Sequence, residues 1–341
     1  MGVPAGARPA FRLAGGVALA ATVAFGLALP MGYLFILTAV MLLAPPSAPP
    51  GLKATAILLA IAMVVTLWGA LLGPVLTYAP VAGVLIMLAG IALAVWLGFR
   101  PGLAIIGSLM ILSHTIIAVI ASQSSAAAVM VVQLSLGAIV TAVVIAHIMH
   151  TVLPDPNGAR PAPPASVPPR HARWVAIRTA LIMIGPILLA LSNPATYILL
   201  LMKGSTLAAQ VEEAHARRLG VETVSSTLLG SFAALAVWWL LKLWPGLPLL
   251  VLLLTLATLL FARPMYRAVS SRLPFTFWLN TLITMIILIG PAVADTASSA
   301  DIQRKMLVRT LMFAALSIYA VIAVRILDAL RPRSRTQEAI P

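Results

Sequence analysis

Few residues of this chain can do chemistry in an apolar setting. His114 falls near the middle of the apolar run 102–121. An imidazole at mid-membrane depth is expensive and by default a functional hypothesis, and histidine is the side chain best suited to exchanging a proton. Its plainer role is a neutral ring bonded to a backbone carbonyl, or to Ser108 or Ser113, as a link between helices. Lys203 ends the short run 194–203, where its ammonium can attract an anion or snorkel to the interface. Tyr33 and Tyr197 follow Pro30 and Pro194. Their rings can stack on an aromatic solute and their hydroxyls can bond its carboxylate, although tyrosine is also a routine interface residue. Asn193 can bond a solute or cap the helix that follows. Asn280 is a helix-to-helix bond first and a solute contact second. Asp295, at the end of 274–295, is the second candidate for proton coupling, or else a partner for Arg304 or Arg309. Arg325 and Asp328 are three apart, which predicts an intrahelical pair.

Other chemistries lack their parts. His147 and His150 share one helix face, but no further ligand type is near in sequence, so no metal is expected. Cys is absent, which removes thiolate metal sites and Cys nucleophiles. No Gly-x-x-x-x-Gly-Lys-Ser/Thr run cradles a nucleotide. No cluster of carboxylates or histidines gathers at one interface for catalysis. The expectation is a non-enzyme without cofactor or catalytic residues.

The elements that position these residues follow from composition. Of 341 residues, 62% are hydrophobic and 9% charged, with mean hydropathy +1.08. Soluble domains are about 45–50% apolar and about 25% charged, so this is a membrane protein. The net charge of +14 reads as basic loops, not as a nucleic-acid surface. Apolar runs fall near 11–29, 31–43, 54–72, 76–98, 102–121 and 127–152, then near 174–192, 194–203, 223–243, 246–262, 274–295 and 307–330. They are continuous instead of alternating and reach spanning length, which favours helices over strands. The fold class expected is all-α and polytopic, with about twelve membrane segments in two parallel six-segment repeats.

With the N-terminus in the cytoplasm and each run a crossing, only Lys242, Arg304, Lys305 and Arg309 of the 22 Lys and Arg fall on the far side. That asymmetry predicts cytoplasmic termini. Arg8 and Arg12 before an apolar run resemble a signal peptide, but the pattern recurs mid-chain. The repeats are read from features in common order. Arg12, Pro30 and Tyr33 match Arg178, Pro194 and Tyr197; Arg100-Pro101 matches Arg263-Pro264; Ser124-Ser125 matches Ser298-Ser299. The expected division is a repeat over 1–153, a Pro- and Ala-rich tether over 154–173, a second repeat over 174–331 and a tail over 332–341.

Two runs, 31–43 and 194–203, are too short to cross about 30 Å of hydrocarbon. Short segments in matching places point to the binding region of repeat transporters. Helices starting near Met31 and Ala195 would aim free N–H groups at an anion, or be short packed helices with no ligand. The segment Ser205–Gly220 has the mixed pattern of an amphipathic helix.

The run from Arg12 to Leu29-Pro30-Met31-Gly32-Tyr33, its duplicate from Arg178 to Asn193-Pro194, and Ala216-Arg217-Arg218-Leu219-Gly220 with Thr227-Leu228-Leu229-Gly230 resemble the fusaric acid resistance and aromatic acid exporter superfamily. The resemblance is to a small, membrane-only branch, since larger members place a cytoplasmic domain after each half. It implies efflux of aromatic or other weak organic acids across a bacterial inner membrane, beside a periplasmic adaptor of the haemolysin-D type. A homo-oligomer is compatible with it. A membrane scaffold that docks an adaptor without transporting is the alternative.

Overall fold

The computed structural model describes residues 7–45, 47–100, 102–154, 169–210, 216–294 and 299–330; for 205–210, 216–220 and 299–300 it describes the backbone alone. Among them the chain is all-helical. The first part holds α1 (Arg8–Gly26), α2 (Tyr33–Leu43), α3 (Leu52–Tyr78), α4 (Pro80–Gly98), α5 (Ala104–Leu112), α6 (Ala118–Gln123) and α7 (Ser125–Val152). A π-helical turn, Ser113–Ile117, joins α5 to α6 into one rod. The second part holds α8 (Pro169–Ser192), α9 (Pro194–Gln210), α10 (Ala216–Leu241), α11 (Leu247–Met265), α12 (Phe275–Ala294) and α13 (Ser299–Ala329). Ten of these rods are long and apolar enough to cross a membrane, and α2 is a shorter apolar helix. Large apolar side chains such as Val64, Leu71, Phe232 and Leu311 point outward, a surface that lipid solvates and water would not.

Several predicted ends move. α8 starts at Pro169, inside the expected tether, because Pro suits a first helical turn and Ala172, Val175 and Ala176 are buried. α9 runs on past Lys203 to Gln210. α13 starts at Ser299, with Ile302 and Met306 buried on one face. α3 runs through Pro74. Of the expected tether, 155–168 lie outside the described residues, as do Glu212, Glu213 and His215 of the predicted amphipathic segment, and the tail 332–341.

Packing in the first part recurs in the second. α1 packs on α2 as α8 packs on α9, α3 on α6 as α10 on α12, and α3 on α7 as α10 on α13. Across the two parts, α1 packs on α11 and α4 on α8, which are matching pairs in exchange. The short helices cross the seam in the same way: α2 reaches α12, and α9 reaches the α5–α6 rod.

Polar ties fix which helix ends lie together. Arg8 Nη1 donates to Pro154 O at 2.9 Å, joining the start of α1 to the end of α7. Tyr266 Oη donates to Ala44 O at 2.7 Å, joining the end of α11 to the end of α2. At the opposite face, Lys242 Nζ donates to Gln303 Oε1 at 3.2 Å. α2 thus returns the chain to the face where α1 began, despite its 11 residues.

Candidate functional site

The site is built on α12, which packs on α9 and on α10. Lys203 stands midway along α9 and is fully buried. It does not snorkel: continuing the helix to Gln210 holds its ammonium inside the protein. Its partners include Asn280 Oδ1 at 2.7 Å and Thr284 Oγ1, both on α12. An ammonium only donates, so the Asn280 amide must turn its oxygen to Lys203. Its Nδ2 then donates to Ser226 Oγ on α10, and Ser226 donates to Thr223 O at 3.0 Å. Thr284 donates its proton to Asn280 O at 2.6 Å, which leaves its lone pairs to the ammonium. Further along α10, Thr227 receives a bond from Ser317 of α13 at 3.2 Å. Ser231 keeps a buried hydroxyl with no bond among the described residues.

Close helix approach makes this cluster possible. A Cβ at Gly230 would fall 2.5 Å from Thr281 O and 2.7 Å from Thr284 Cβ. Small residues at a crossing allow such approach in membranes. The first part has the counterpart: a Cβ at Gly69 would overlap Ser113, and Ser113 Oγ donates to Val65 O across the same gap.

His114 follows Ser113 in the π-helical turn, buried at 4% exposure. π-turns inside helices recur at functional sites. Its Nδ1 lies 2.9 Å from Met110 O. A carbonyl only accepts, so in the neutral ring Nδ1 carries the hydrogen and Nε2 keeps its lone pair. The ring lies against Gly90 of α4, where any side chain would overlap it. The rod carrying His114 packs on α9, the helix that carries Lys203. Thus two candidates from different parts of the chain lie on touching helices.

The other candidates separate. Tyr33 is buried, and its Cβ occupies the space a Cβ at Gly290 of α12 would need; it is packed into the seam instead of standing at an interface. Tyr197 is half-buried. Asn193 Oδ1 accepts from Thr196 N at 3.2 Å, the helix-cap role. Part of the N–H set predicted to be free at the short helices is used. Leu34 N and Phe35 N donate to Met31 O and Gly32 O at 2.8 and 3.1 Å, and Pro194 has no N–H to offer. Asp295 lies outside the described residues. His147 and His150 bond Val143 O and Ala146 O of their own helix.

Asp328 does not pair with Arg325. It turns inward to α8, where it accepts from Arg178 Nη1 at 2.6 Å and Trp174 Nε1 at 2.7 Å. Arg178 is buried at 5% exposure, as is Arg12 at 3% in the matching place on α1. Sequence reading missed the roles of Ser226, Thr284, Gly69, Gly290 and the two buried arginines. One signal was present: Thr66-Leu67-Trp68-Gly69 repeats as Thr227-Leu228-Leu229-Gly230, marking the close crossing in each part.

Among known proteins, a family model described as a protein of unknown function (DUF2955) matches residues 9–149. The match runs from the start of α1 almost to the end of α7, so it spans the first six-segment part of the chain. No curated protein and no solved structure matches the chain.

Proposed function

We propose that this membrane protein is a transporter that exports aromatic or other weak organic acids, with Lys203 as the counter-charge for the solute carboxylate. The observation that carries this reading is the fully buried ammonium of Lys203, held by Asn280 and Thr284 on a helix that crosses the seam between two similarly packed parts. Ionisable groups at this depth are costly and mark solute or ion paths. Parallel repeats related about the membrane normal put such a path between them. His114, with Nε2 outside any hydrogen bond among the described residues, is the group for proton coupling. The resemblance to aromatic acid exporters supplies the direction of transport, the inner-membrane setting with cytoplasmic termini and the periplasmic adaptor; these belong to the same proposal.

The test is substrate-dependent proton flux in inverted membrane vesicles, challenged with a panel of aromatic acids. Wild type, Lys203→Met, His114→Ala and empty vesicles are compared. The expected result is flux in wild type and loss in Lys203→Met. Flux retained in Lys203→Met removes the counter-charge role. Flux retained in His114→Ala keeps the exporter and discards the proton role. No flux for any acid, with folded protein, favours the scaffold that docks an adaptor.

A further inference from the structure

At the outer surface between α10 and α13 runs a groove whose walls are apolar: Val224 and Leu228 on one side, Ile318 and Ile322 on the other. Ser225 and Arg325 also line it. The Ser225 hydroxyl is used on its own helix, donating to Val221 O. Arg325 is exposed, and its nearest acid in sequence, Asp328, is held by Arg178 and Trp174. Glu222, beside the groove, forms no ion pair with Arg325.

Arg325 stands about one helical turn before the end of α13 at Ala329, with the apolar walls on the side of it toward the middle of the helix. The sequence is rich in cations at this end. Arg217 and Arg218 open α10, and Arg331, Arg333 and Arg335 follow α13. Clusters of basic residues beside membrane helices attract anionic lipids.

We infer that the α10–α13 groove binds one anionic phospholipid, its acyl chain along Leu228 and Ile322 and its phosphate on Arg325. Charge complementarity selects this occupant. A zwitterionic lipid brings its own cation to the Arg325 end, and an apolar partner helix would cover a guanidinium it cannot satisfy. This inference does not rest on transport, and its readout is independent of it.

Native mass spectrometry of the purified full chain tests it. After delipidation the protein is offered dioleoylphosphatidylglycerol, dioleoylphosphatidylcholine or glycerol 3-phosphate. Wild type should retain the phosphatidylglycerol about fivefold better than the phosphatidylcholine, the contribution of one cation near the surface. Arg325→Gln should bring the two lipids close to parity. Leu228→Trp, which fills the groove, should weaken retention of both. Arg100→Gln, which removes a cation stacked on Trp96, should leave the preference unchanged. Equal retention of both lipids by wild type overturns the inference. So does an Arg100→Gln loss as large as that of Arg325→Gln, or binding of glycerol 3-phosphate as strong as that of the lipid. A dimer that Leu228→Trp dissociates would place a second copy in the groove and overturn it as well.

Discussion

The ion pair at the end of α13 gives a prediction that separates two arrangements of the same residues. Sequence spacing pairs Asp328 with Arg325 on one helix. The structure pairs it with Arg178 and Trp174 on α8. The perturbation is Asp328→Ala, set against Arg325→Gln. Losing Asp328 leaves a guanidinium at 5% exposure without its carboxylate and Trp174 without its acceptor. Breaking a fully buried pair costs about 3–5 kcal/mol. The Asp328 side chain is 35% exposed, so solvent screening lowers that to roughly 2 kcal/mol. At about 2.1 cal/mol/K per residue, a chain of 341 residues shifts by roughly 1.4 °C per kcal/mol, so the loss amounts to about 3 °C in Tm. The assay is thermal unfolding of purified protein in one detergent and one salt concentration. Arg325→Gln should shift Tm by less than about 1 °C, as exposed surface charges do. The double variant Arg178→Met/Asp328→Leu should recover most of the loss, because it removes the stranded charge along with its partner. If Arg325→Gln costs as much as Asp328→Ala, or the double variant is worse than the single one, the reasoning is wrong.

Other predictions concern the seam. Gly290→Ala should cost about 1–3 kcal/mol through overpacking, read as lost Tm. Tyr33→Ala should not relieve it, since the overlap is with Tyr33 Cβ itself, whereas Tyr33→Gly should. Gly90→Ala should cost a similar amount and be rescued by His114→Ala, because the overlap there is with the ring; absence of rescue in the double variant would show that Gly90 matters for another reason. Asn193→Ala should cost about 1 kcal/mol of stability as a lost cap, with Asn193→Ser close to wild type; a transport defect at unchanged stability would restore its solute-binding reading. Asn280→Leu should leave Lys203 and Ser226 short of a partner and cost about 1–3 kcal/mol, more than Thr227→Ala at the edge of the cluster.

The sequence alone determined the class, an all-helical polytopic membrane protein. Helices in lipid satisfy their own backbone, so composition and run length suffice to find them. The order of Arg12, Pro30 and Tyr33, repeated at Arg178, Pro194 and Tyr197, likewise needs no coordinates. His114 stood out because a ring nitrogen in an apolar run is rare. What the sequence did not show was where polar side chains end and whom they meet. Lys203 read as the end of a run because hydropathy falls there, yet the helix continues and buries it. Asp328 read as a neighbour of Arg325 because helix spacing is local, whereas its partners are 150 and 154 residues away. Gly290 and Gly230 looked like any glycine in a Gly- and Ala-rich chain; only the crossing helices show what a Cβ would strike. Local physics writes helices into the sequence one turn at a time. Contacts between helices depend on which faces meet, and that is decided only when all of them pack.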